Sequence, residues 1–437
     1  MSSIKPTKMS PVARQFLDKM MALSDRLNHQ TEAENLIEKR QLAKQHLWQT
    51  GLPTRKDEDW QYTSIQPLLQ QDFGVNDAAT SADLSIDEIQ SCLPSFDTIR
   101  LVFVDGVFAE KLSAGFDFIP DGLSIEMADA DAIQTISLSE DANPFQWLNE
   151  LMLDQGLTIA LDAHLILELP LHILLVQTQP QKLLSPRLQV HLAQGAQCQL
   201  LQQYVNVSNP SLTWVNGVAQ IELEEGAHCK QLVLQDLSED SFYFYHQAVT
   251  QAKASHFEST YIGLGGLLSR HHSDVTQQGD AAETLQDSIV LGSGQQVLDT
   301  RTLTQHQALQ GQSRQLHKLV LADDARGVFN GMINVARHAQ KTDGQMDTKC
   351  LLLSPRAKMD AKPQLEIDAD DVKCSHGFAA GQMDEDQIFY AQARGIRRAD
   401  AVQMITQAFL LEPLEKFQTQ PALQAWLTQM VVQKLSL

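Results

Sequence analysis

Positive charge, cysteine and long apolar runs are all scarce in this 437-residue chain, and each shortage disfavours a class of function. Lysine and arginine number 33 against 54 acidic residues, a formal charge of −21. A field of that sign repels phosphate backbones and anionic lipid surfaces, and no basic stripe with interleaved aromatics reverses it locally, so binding to nucleic acid or to a membrane surface is not expected. No apolar run approaches the roughly 20 residues that span a bilayer. The opening Met1-Ser2-Ser3-Ile4-Lys5-Pro6 lacks the apolar core of a secretory signal. The five cysteines (Cys92, Cys198, Cys229, Cys350, Cys374) are odd in number and contain no CxxC. That usage argues against a disulfide framework and suits a reducing compartment, so the expected location is cytoplasmic. There is no Walker A pattern, since Gly263-Leu264-Gly265-Gly266 is followed by no P-loop lysine and Gly292-Ser293-Gly294 reads as a turn.

The pattern that is present changes period twice. Ser10-Pro11 is a helix start, and Val12, Phe16, Met20, Leu23 and Leu27 follow at helical spacing. A second amphipathic stretch carries Leu36, Ile37, Leu42 and Leu47, with Gly51 and Pro53 as the stop. From Leu101-Val102-Phe103-Val104-Asp105-Gly106-Val107-Phe108 the period becomes that of strands, with a brief helical stretch from Asn143 to Leu153. A long series of short apolar strands then begins near Leu165. Leu188 to Cys198 repeats as Ala219 to Cys229, 31 positions later, each copy an alternating strand, a Gly-Ala turn and a second strand. That offset suits stacked repeats, and Cys198 and Cys229 would stack in neighbouring coils. Short strands without intervening helices fit either a sandwich or a β-helix, and pattern alone does not separate them. Helices return with Asp384 as N-cap and Gly395 as stop, then from Ala401 to Leu411 before Pro413, then from Ala422 to Leu435.

The densest chemistry lies in Asp371-Val372-Lys373-Cys374-Ser375-His376-Gly377. In an extended segment Cys374 and His376 share a face, because strand side chains alternate. A thiolate beside an imidazole can bind a soft or borderline metal, or act as nucleophile and base. Pattern alone favours a plainer reading, a buried cysteine and a histidine satisfied in a turn. Two ligands do not complete a zinc or cluster site, and the nearby Glu366, Asp368, Asp370 and Asp371 read equally well as a solvated strand face and turn. His306, His317 and His338 match no ligand spacing and read as polar positions on coils. His271-His272 reads as a turn, Cys350 as core, and Trp60 and Tyr62 as loop anchors.

The run from Lys362-Pro363-Gln364-Leu365-Glu366-Ile367, through the Cys-His segment, to Asp384-Glu385-Asp386-Gln387-Ile388-Phe389-Tyr390 and Arg394-Gly395-Ile396 resembles the SufB/SufD family of iron–sulfur cluster assembly scaffolds, most of all its SufD branch. Gly51-Leu52-Pro53-Thr54 with Glu58, Trp60, Tyr62 and Thr63 is similar to the family's N-terminal signature. Asp299-Thr300-Arg301-Thr302, His306, His317-Lys318, Ala325 to Gly331, Ala339 to Gly344 and Leu351 to Ser354 extend the likeness. The resemblance implies a mainly β fold, a right-handed parallel β-helix core flanked by N-terminal and C-terminal helical domains, here divided at 1–150, 151–380 and 381–437. It implies a non-catalytic scaffold that pairs with a SufB-like partner, with iron or a transient iron–sulfur cluster held where the two meet. His376 is the position it ties to cluster formation, and Cys374 is a further candidate iron or sulfur ligand. ATP hydrolysis would come from a separate SufC-like ATPase, docked on the C-terminal helical hairpin. The resemblance associates flavin with the assembled complex, though no residue locates a flavin site. The isolated chain is expected to form a homodimer through the surface that meets SufB. Two other readings stay open: a stand-alone cysteine-dependent enzyme with Cys374 as nucleophile and His376 as base, and a purely structural dimerisation module.

Overall fold

The computed structural model describes residues 9–29, 34–75, 84–128, 138, 142–153, 156–208 and 210–435, so the Met1-Pro6 segment lies outside the described residues. Two helices, Pro11–Asn28 and Glu34–Thr50, come first. The Ser10 hydroxyl accepts the Ala13 N–H at 3.2 Å, and proline occupies the first turn, where it forfeits no hydrogen bond. Gly51, at φ +77°, ends the second helix in a left-handed conformation that a side chain would resist. Leu36 and Leu47 are buried on that helix, whereas Leu42 is 57% exposed, so its apolar stripe is narrower than the sequence pattern implied.

The centre of the chain is a two-faced β-solenoid. From Arg187–Leu192 to Lys373–Gln382 successive strands alternate between two sheets. From Trp214–Leu223 onward each pairs in parallel with the strand two before it. Earlier strands, Ile99–Val104 and Gly156–Leu161 among them, extend the two sheets at the N-terminal end. The internal repeat is one coil: Leu188 pairs with Ala219 and Cys198 with Cys229. The two thiols do stack, and the contact with Cys198 together with burial pushes the Cys229 thiol well up.

Helices cover both outer faces. Phe16, Trp60, Phe145 and Trp147 from the N-terminal part and the helix Pro144–Leu151 pack on Trp214, Phe242 and Phe244 of one sheet. On the other sheet, Leu232, Leu234, Ile262, Ile289 and Val320 are covered by Leu410, Leu414, Trp426 and Leu427. These last residues belong to Arg398–Leu411, the 3-10 turn Glu412–Phe417 and Pro421–Leu435. Burial of about 25 cal/mol per Å² of apolar surface on each face holds the two layers to the solenoid.

The interior departs from the apolar strands that the sequence pattern suggested. The first coils are filled by Leu171, Val190, Leu200 and Tyr204, but the middle coils hold a polar ladder. Gln231 donates to Gln247 at 2.8 Å, Gln247 to Ser273 at 2.8 Å, Tyr245 to Gln202 at 2.8 Å, and Thr302 to Gln315 at 2.8 Å. Stacked coils place such groups in register, so each polar side chain finds its partner one rung or one sheet away. His271-His272-Ser273-Asp274 is a further correction. It is not a turn but the middle of strand Leu268–Gln277, where both faces are covered and no apolar alternation marks the strand.

The glycine-rich segment has a packing reason. A Cβ on Gly265 would stand 1.9 Å from the Leu237 carbonyl oxygen of the preceding coil. Gly265→Ala is expected to lower the unfolding free energy by about 1–3 kcal/mol, read as a drop in urea midpoint, because backbone must move to admit one methyl group. Gly381→Ala is the reference for a substitution that meets no neighbour within 4 Å at an ordinary backbone conformation.

Candidate functional site

Strand Lys373–Gln382 ends its sheet, and its inner edge pairs with Asp343–Leu352: Cys374 lies beside Gly344, His376 beside Met346 and Phe378 beside Thr348. Gly344, Met346 and Thr348 are buried, so Cys374, His376 and Phe378 continue the inward row on the last rung. No described strand covers that rung from outside. Cys374 is therefore half-buried against the Phe329–Ile333–Met346 cluster, whereas His376 and Phe378 are exposed. Burial pushes the Cys374 thiol up, which is the opposite of the depressed pKa that activates a nucleophilic cysteine. Glu366 is held by Asn334 and Asp371 by Lys341. Among the described residues no third His, Cys, Asp or Glu joins Cys374 and His376 closely enough to share an ion.

The other singled-out residues separate. His306 donates to or accepts from Ser313 at 2.9 Å, His317 lies between Ser288 at 2.8 Å and Gln315 at 3.2 Å, and His338 reaches the Gln307 carbonyl. They are polar positions on coils, as the spacing suggested. Cys350 is buried, and desolvation pushes its thiol up to about 12. Tyr62 faces Arg326, while Trp60 is buried under the Arg270 guanidinium, 3.9 Å from its ring centroid.

Residues far apart in sequence meet around Trp60. Asp299 is paired with Arg270 and accepts the Thr63 hydroxyl; Arg301 pairs with Asp59, and Lys362 with Glu58. These contacts fasten the segment from Gly51 to Thr63 across one sheet and leave beside it a cavity of about 730 Å³. At its wall stand His246, His272 and Asp274, a group that sequence spacing did not reveal because His246 lies on the neighbouring strand, in register with His272. His272 Nε2 is 2.7 Å from one Asp274 oxygen, His246 Nε2 3.4 Å from the other, and the two Nδ1 atoms are 3.2 Å apart. Desolvation holds both rings in the neutral form, with the His246 pKa pushed down to about 3.

Comparison with known proteins accounts for these motifs. The profile described as SUF system FeS cluster assembly, SufBD core domain, matches residues 175–409, and that of the SufBD protein N-terminal region matches residues 12–140. The iron–sulfur cluster assembly protein SufD of Escherichia coli is 35% identical over 399 residues, covering 89% of this chain and 91% of that protein. The chain belongs to the SufB/SufD family. An iron–sulfur cluster assembly SufBD family protein of Synechocystis is 32% identical over 88% of each chain, and a chloroplastic Arabidopsis protein is 29% identical over 85% of this chain and 80% of its own length. In this SufB/SufD chain the N-terminal signature and the Asp299-to-Thr302 motif are two halves of one tertiary contact. Among the described residues no helix is long and apolar enough to cross a membrane.

Proposed function

We propose that the chain is a non-catalytic scaffold subunit that assembles iron–sulfur clusters together with a SufB-like scaffold and a SufC-like ATPase. One observation carries the reading: the last solenoid rung presents Cys374, His376 and Phe378 on its inward row with no strand over them. An open sheet edge is a template for a further strand, and the Pro363 and lysine residues on the two terminal strands restrict which strand fits. A SufB-like partner with a related solenoid closes this end and supplies the ligands that His376 and Cys374 lack. His376 is the principal residue for the incoming iron or nascent cluster, and Cys374 assists as an iron or sulfur ligand. The raised Cys374 thiol speaks against a stand-alone cysteine enzyme.

The helices Glu385–Gln392 and Arg398–Leu411 form the docking element for the ATPase. They expose Phe389 and Tyr390 from one helix and Met404 from the other, beside an apolar hollow that includes Ile396 and Ile405. An apolar helix face of this kind seats in a groove on a partner. Flavin enters only through the assembled complex.

The test compares iron and acid-labile sulfide in complexes co-purified with SufB-like and SufC-like proteins, wild type against His376→Ala. The expected result is an intact three-protein complex that loses most of its iron and sulfide. Unchanged content in the variant rejects the site. For the isolated chain, light scattering should give a dimer, and a purely monomeric mass would count against pairing through the open end.

A further inference from the structure

Two imidazoles and one carboxylate converge on the outer face of the solenoid, away from the terminal rung. His246, His272 and Asp274 each offer a ligand atom, and these atoms lie within 4.8 Å of one another. The strands Phe242–Gln251 and Leu268–Gln277 are parallel and in register, which sets the two rings side by side and Asp274 on the same face as His272. Both histidines are buried, while Asp274 opens to the cavity under the Gly51-to-Trp60 segment.

The three groups make three close approaches: ring to ring, and each ring to the carboxylate. The two nearby guanidinium groups are each paired elsewhere, Arg270 with buried Asp299 and Arg301 with Asp59. Among the described residues Asp274 forms ion pairs with the two histidines and no others.

We propose that His246, His272 and Asp274 form a binding site for a divalent transition-metal cation of the iron(II), cobalt(II) or zinc(II) class. Two imidazoles and a carboxylate on one side of an ion suit borderline metals and leave other coordination positions open. Nitrogen and oxygen ligands about 2.1 Å from an ion stand about 3 Å apart at adjacent octahedral positions. The observed nitrogen–oxygen approaches of 2.7 and 3.4 Å bracket that spacing. The open positions face the cavity of about 730 Å³, which has room for water or an exchanging ligand. The site uses neither Cys374 nor His376 and stands independently of the scaffold reading.

The experiment uses the full chain, stripped with chelator and titrated with cobalt(II) under anaerobic conditions, then loaded with one equivalent for X-ray absorption. The expected result is one ion per chain with nitrogen and oxygen scattering only, two imidazoles included. His272→Gln and Asp274→Asn should each weaken binding by more than about 100-fold, beyond what losing an outer-shell partner costs. A Cys374→Ser/His376→Ala chain should bind as wild type. Sulfur scattering in the wild-type sample, absence of stoichiometric binding, or unchanged affinity in both single variants overturns the proposal. The absorption measurement needs no variant, so a poorly folding substitution does not protect the idea.

Discussion

Lowering the pH from 7 to 5 should reduce the urea midpoint steeply, with a limiting uptake of at least about four protons on unfolding. The groups responsible include His172, His271, His306 and His317, all buried in or against the solenoid. Desolvation pushes His271 and His317 down to about 3 and His172 and His306 down to about 4. Burial disfavours the charged form of each ring, and for His172 it outweighs the contact with Gln203 at 3.0 Å, which works in the opposite direction. The sign follows from linkage. Folded-state pKa values lie below the unfolded value near 6.5, so below pH 6.5 the unfolded chain binds protons that the folded chain refuses. Stability is therefore complete above about pH 6.5 and declines down to the folded values, by about 1.4 kcal/mol per pH unit per fully titrating ring. Working above pH 5 keeps most carboxylates out of the measurement. His317→Gln should remove about one proton from the slope. A midpoint that is flat between pH 7 and 5 would show that these rings are protonated in the native state.

Removing the Arg270 guanidinium is expected to cost about 3–5 kcal/mol, because it strands a buried carboxylate. Asp299 has no exposed side-chain surface and Arg270 only 4%, so water does not replace the lost partner. Arg270 also covers Trp60, and Asp299 holds the Thr63 hydroxyl, so the whole N-terminal segment loses its anchor with the pair. Arg270→Met should lower the urea midpoint sharply and expose the segment from 51 to 63 to protease. Arg270→Met/Asp299→Leu should be more stable than Arg270→Met, since apolar groups of similar size replace a buried pair at little net cost. A single variant within about 0.5 kcal/mol of wild type would mean that the pair contributes as a surface bridge does.

Much of this was readable in advance where the physics is local. Ser10 and Asp384 cap helices, Gly51 and Gly395 end them at positive φ, and the Leu188/Ala219 repeat is one coil of the solenoid. Stacking of Cys198 on Cys229 and burial of Cys350 followed from the same repeat and from apolar neighbours. Caps, turns and strand period depend on residues within a few positions of one another, and one chain displays them directly.

What stayed hidden depends on which strand lies beside which. His271-His272 read as a turn, yet in-register stacking buries the polar residues of the middle coils as a hydrogen-bonded ladder. His272 and Asp274 are two positions apart and visible as a pair, but His246 joins them only because one coil places strand Phe242–Gln251 alongside. Likewise Glu58, Asp59 and Thr63 meet Lys362, Arg301 and Asp299 across more than two hundred positions. Helix ends, the coil period and the pairing of Cys374 with His376 on one strand face are local properties, because caps and period-two alternation need no knowledge of neighbouring strands. That this face is the uncovered last rung, and that His246 shares one wall with His272 and Asp274, follows from strand order and register, which the packing of the whole solenoid sets.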